Sequence, residues 1–105
     1  MKHEHLSLEL IDRELSRWEM LRRVWLRCEV FDDDDLETVV CKLYIRLSNV
    51  KRVYDKINEM GIRPKGFSME AVSKIAGDGN NPDTELQICA RWLNIRNTKI
   101  TSKFT

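Results

Sequence analysis

The chain has little of what enzymes usually work with. It has only two histidines, His3 and His5, both within the first five residues. Ends of chains fray, so neither is expected to serve as a positioned general base or metal ligand. No Gly-rich phosphate loop ending in Lys and Ser or Thr occurs, and there is no His-Glu-x-x-His, no Cys-x-x-Cys and no serine in a nucleophile-elbow setting. With acid–base, nucleophilic and metal constellations all missing, the residues point to a protein without catalytic activity, cofactor or small-molecule substrate. Long apolar runs are missing too, and Lys2, His3, Glu4 and His5 do not resemble the core of a signal peptide, so a cytoplasmic protein without a membrane span is expected. The three cysteines, Cys28, Cys41 and Cys89, are odd in number and each lies among apolar helical neighbours. They read as small core hydrophobes in a reducing compartment.

Glycine and proline are scarce, at four and two in 105 residues, and most of the chain is free to be helical. Leu36, Val40, Leu43, Leu47, Val50, Tyr54 and Ile57 are spaced alternately by four and three, which keeps one apolar seam on one side of a helix. An earlier seam of Leu8, Ile11, Leu15, Trp18 and Trp25 matches it. Between them lies only the acidic stretch Asp32 to Asp35, so two long helices, about Ser7 to Val30 and about Leu36 to Met60, are expected to fold back as an antiparallel hairpin. Adjacent carboxylates on a short turn diverge and suit no single ion; Asp34 is expected to cap the second helix, with Glu37 completing a capping box. Gly61 suits a left-handed helix end, and Pro64 and Gly66 make a turn after it. Phe67 and Val72 bracket Ser68 as a hydrophobic staple around an N-cap, which predicts a short helix to about Ala76. Asn81-Pro82 marks the start of a last helix running to about Ile95, with Leu86, Cys89, Ala90 and Leu93 inward and Trp92 at the edge. From Arg96 to Thr105 the polar tail is expected to be extended or partly disordered.

The fold class is therefore all-α: a helical hairpin over residues 1–61, followed over 62–105 by one or two short helices and a basic tail, in a single domain. A second apolar row, Leu21, Val24, Cys28 and Phe31, lies about a third of a turn from the first, and one partner helix cannot cover so wide an arc. Burial on two sides, against the hairpin mate and against another subunit, is the simplest solution; the alternative is a compact monomer whose C-terminal segment covers the second row. The expected oligomer interface is Trp18, Leu21, Trp25 and Cys28 on the first helix with Leu43, Leu47, Val50 and Tyr54 on the second. Charge is uneven: residues 1–35 hold ten acids and six bases, residues 62–105 four acids and seven bases. Arg91, Arg96, Lys99 and Lys103 follow one another at the end with no acid among them, a pattern suited to phosphate contacts.

The order of parts resembles the small subunit of tailed-phage DNA-packaging terminases, in the branch built on a compact helical hairpin. The resemblance is carried by Trp18 and Leu21, by Asp33 to Asp35 with Leu36, by Tyr44 and Tyr54, by Gly61, by Asn81-Pro82 and by the terminal Ile100-Thr101-Ser102-Lys103. It implies a non-enzymatic adaptor that forms a homo-oligomer, in that family a ring, binds viral DNA and delivers it to the large subunit, within the host cytoplasm. A different class of protein fits the same residues. A small helical interaction module, such as an antitoxin, immunity protein or transcriptional modulator, would use the apolar arc to hold a protein and would not touch nucleic acid. A helix-turn-helix over Phe67 to Ile95 is disfavoured, since the Gly77-to-Asn81 loop is too long for the usual tight turn.

Overall fold

The computed structural model describes residues 7–62 and 65–103, with side chains through Asn97 in the last helix. Five helices and no strands occur among the described residues: α1 Leu8–Leu26, α2 Leu36–Leu47, α3 Val50–Glu59, α4 Met69–Asp78 and α5 Thr84–Lys103. The all-helical reading holds, and among the described residues no helix is long and apolar enough to cross a membrane.

Helix α2 is the axle of the molecule. Val39, Val40, Cys41, Leu43, Tyr44 and Ile45 on it are all buried, and α3, α4 and α5 pack around them. Val53 and Ile57 from α3, Val72 and Ala76 from α4, and Leu86, Cys89, Ala90 and Leu93 from α5 complete one continuous core. Residues on both sides of position 61 thus share it. Each fully buried Leu, Ile or Val contributes roughly 1.5–3 kcal/mol over its exposed state, and no segment could keep that contribution alone.

Local chemistry sets the boundaries. Ser7 caps α1 by accepting from the Leu10 amide at 3.1 Å, and Ser68, the cap that the sequence predicts, starts α4 by accepting from Ala71 at 3.2 Å. Gly61, at φ +82°, ends α3 in a Schellman turn: Ile62 N–H donates to Ile57 and Gly61 N–H to Asn58. Elsewhere the structure differs from expectation. The rod from Leu36 to Met60 is two helices, because Ser48 adopts the left-handed conformation at φ 50° and Asn49 starts α3 by accepting from the Arg52 amide at 3.0 Å. α1 stops at Leu26 instead of Val30, which lets the following chain turn and sink Cys28 beside α2, its thiol donating to the Lys42 carbonyl at 3.2 Å. The cap of α2 is Asp35, accepting from Thr38 at 2.8 Å, not Asp34. Asp34 closes the loop instead, accepting from the Phe31 amide at 2.9 Å and from Lys42 at 2.8 Å. The α5 cap is Asp83, which accepts from Leu86 at 3.2 Å, while buried Asn81 forms an Asx turn with the Asp83 amide and donates to Thr38. α5 also runs on to Lys103, through the stretch expected to be extended.

α1 packs chiefly on α5 and touches α2 only briefly. Arg23 pairs with Glu85 at 2.8 Å and Arg27 with Asp83 at 2.8 Å, pinning the C-terminal half of α1 to the start of α5. These pairs are solvent-exposed, so they set the direction of the contact more than its strength. The N-terminal half has no buried residue at all. The radius of gyration, 15.1 Å, exceeds the ~13 Å of a spherical domain of this length, as a helix reaching beyond the body requires.

Candidate interaction surface

Two apolar rows on α1 have opposite fates. Val24 and Cys28 of the second row are buried and Leu21 is half-buried, so that row makes the helix's contact with the body. The first row stays uncovered: Leu8 is 73% exposed, Leu15 54%, Trp18 45%, Trp25 44% and Ile11 43%. Apolar surface at this density on one helix face is unusual in a chain that functions alone. The acids Asp12 and Glu19 flank it and are themselves exposed.

The indoles are held by what lies beneath. Trp18 meets Trp92 edge to face, centroids 5.0 Å apart at 82°, and Arg96 lies over the Trp18 ring at 5.8 Å. Trp25 carries Arg46 over its ring at 4.8 Å, while the same guanidinium donates to the Trp25 carbonyl at 3.2 Å. Each ring therefore keeps an anchored face and a wet edge. Such contacts are worth about 0.5–1 kcal/mol at exposed sites, enough to fix a rotamer and too little to hide the ring.

On the far side of the same helix, α1 and α5 border an open groove of about 500 Å³. Met20, Ile88, Trp92 and Ile95 form its apolar floor, and Arg13, Arg17 and Arg91 stand around it. No acid lines it. Arg17 pairs with Glu14 at 3.3 Å, lies 5.9 Å above Trp92, and is half exposed. Arg13 makes no ion pair among the described residues.

Of the residues expected at an oligomer interface, Trp18 and Trp25 are exposed, and Leu21, Leu47, Val50 and Tyr54 are half-buried. Cys28 and Leu43 lie inside the chain's own core, where no second subunit can reach them. Tyr54 is stacked on Phe67, centroids 5.5 Å apart at 19°. Leu8, Ile11 and Leu15, expected to face the hairpin mate, are all exposed, Leu8 and Leu15 the most of the row. Of the expected DNA contacts, Arg91 donates to the Gly77 and Gly79 carbonyls at 3.0 and 3.4 Å, capping α4, and Arg96 is drawn over Trp18. The side chains of Lys99 and Lys103 lie outside the described residues. Arg91 and Arg96 stand on α5, but the structure joins Arg91 with Arg13 and Arg17 of α1, which the linear reading did not group.

The interior carries polar networks. Gln87, 4% exposed, accepts from the Asn81 amide at 3.2 Å and donates to the Ile75 and Ala76 carbonyls, both at 3.1 Å. Asn94 and Asn97 both donate to the Tyr44 hydroxyl, and Asn97 also donates to the Ser48 carbonyl at 2.8 Å, bracing the α2–α3 break. Burial raises all three thiols, Cys41 to about 12 and Cys89 to about 11, so none is a poised nucleophile. Among the described residues no three His, Cys, Asp or Glu side chains gather to hold a metal ion. No family model, curated protein or solved structure matches the chain.

Proposed function

We propose that this protein is a non-enzymatic helical adaptor that self-associates through α1 and joins nucleic acid to a protein partner, the role implied by its resemblance to terminase small subunits. The large packaging subunit would be that partner, viral DNA the cargo, and the host cytoplasm the setting. The observation that carries the reading is the uncovered row from Leu8 to Trp25 on a helix whose N-terminal half has no fully buried residue among the described residues. A contiguous apolar face of this kind marks an interaction site. The cations of α5 support the nucleic-acid half of the role. Titrating duplex DNA at several salt concentrations tests it: neutralising Arg96, Lys99 and Lys103 together should flatten the salt slope by up to ~3 units. An unchanged slope, or no binding by the parent chain, removes DNA from the account.

A second reading, a protein-interaction module with no nucleic-acid role, is favoured by the commitments of two expected DNA contacts. Arg91 is spent on carbonyls of α4 and its vicinity, and Arg96 sits on an indole. Light scattering coupled to size exclusion separates the two. An assembly of identical chains supports the first, and a monomer that forms only a one-to-one complex with another protein supports the second.

A further inference from the structure

We infer that copies of this chain dock head to tail, the Leu8–Ile11–Leu15 row of one α1 lying in the Arg-rimmed α1/α5 groove of the next. The inference rests on the self-association reading above and names the surface that receives the row. Three features of the molecule lead to it.

The first is complementary chemistry. The row is aliphatic, with the exposed acids Asp12 and Glu19 along one edge and Glu14 beside Arg13 and Arg17 along the other, while the groove has an apolar floor under Arg13, Arg17 and Arg91 and no acid in its lining. Apolar contact supplies the attraction and opposite charge sets the register. Row against row would instead set acid beside acid.

The second is direction. Arg13 follows Ile11, and Arg17 follows Leu15, by two residues, which is about 200° around a helix of 3.6 residues per turn. Donor face and acceptor face thus point to nearly opposite sides of α1, so one molecule can fill a neighbour's groove while its own groove is filled by another. A contact between two different patches is heterologous, and its repetition gives a closed ring or an open filament according to the rotation per step.

The third is size. Leu8 to Leu15 spans about 11 Å at 1.5 Å per residue, and Ile88 to Ile95 along the groove floor spans the same length. Among the described residues the row has no competing partner.

Two variants of the full chain test this, Ile11→Glu/Leu15→Glu in the row and Arg13→Glu/Arg17→Glu in the groove, all at exposed positions so that helicity by circular dichroism should match the parent. The expected result is that the parent assembles, each variant alone runs as a monomer, and an equimolar mixture of the two gives a species of twice the chain mass. The mixture holds one intact row and one intact groove, which is enough for a single contact. If the groove variant assembles like the parent while the row variant does not, the row pairs with itself; if the mixture stays monomeric, row and groove are not partners. Either result overturns head-to-tail docking and leaves self-association standing. A parent chain that is monomeric at every concentration overturns both.

Discussion

Replacing Gln87 by leucine should cost the fold more than its size suggests. The two side chains are similar in volume, and a position that is 4% exposed would ordinarily welcome the apolar one. Gln87, however, satisfies three backbone groups: the Asn81 amide and the carbonyls of Ile75 and Ala76. The Ile75 carbonyl keeps a second partner, since the Gly79 amide donates to it at 3.1 Å. The Asn81 amide and the Ala76 carbonyl lose the contacts described here. A buried group stripped of its partner costs about 1–3 kcal/mol, so two give roughly 2–6 kcal/mol. The added apolar burial of leucine offsets part of that, leaving a net loss of about 2–4 kcal/mol, a large share of the 5–15 kcal/mol of a typical domain. Urea unfolding followed by tryptophan fluorescence measures it: with a slope of about 1–3 kcal/mol per molar, the midpoint should fall by ~1–2 M at unchanged slope. A loss below ~0.5 kcal/mol would refute the claim that this network, more than volume, makes Gln87 the residue at this site.

Other perturbations have equally definite outcomes. Gly61→Ala should destabilise by about 1 kcal/mol in the same assay, because φ +82° is costly for any residue with a Cβ although no atom lies near enough to clash. Gly79→Ala should cost more, since the new Cβ would run into the Ile75 carbonyl and the Gln87 side chain. Lys42 and the Phe31 amide hold Asp34 below its ordinary value of 3.8, so its contribution to stability is complete above that pH and is lost as pH falls through the folded-state value; Asp34→Asn should lower stability at neutral pH and flatten this acid limb of the stability profile. The buried thiols should resist a thiol reagent at pH 8 in the native protein and react together once urea unfolds it; fast labelling of Cys41 in the native state would show that the core around α2 opens readily.

What could be read from the sequence, and what could not, divides along the range of the interactions involved. The cap at Ser68 and the glycine end at Gly61 depend on residues within one turn, and they stand where the sequence places them. Four consecutive aspartates offer the same cap at four positions, so Asp35 could not be told from Asp34 by pattern. The break at Ser48 is hidden because the three-and-four ladder from Leu36 to Ile57 passes through it without a skip, while its brace comes from Asn97, 49 residues away. The face of α1 that turns inward was beyond reach for the same reason. Two apolar rows compete, and the choice is made by α5, through pairs such as Arg23 with Glu85 that are 62 residues apart. The groove shares this origin: Arg13, Arg17 and Arg91 belong to one site only after α1 and α5 have met. Gln87 gave no signal at all, being one polar residue beside Leu86 on an otherwise ordinary helix.

The central claim, that the exposed row of α1 exists to be covered by another copy, is tested most directly by sedimentation equilibrium of the full chain across a dilution series, with Ile11→Glu/Leu15→Glu run in parallel. The account predicts a mass that rises with concentration to a multiple of the chain mass for the parent and a constant single-chain mass for the variant. A parent that remains a single chain throughout, or a variant that assembles as fully as the parent, would contradict it.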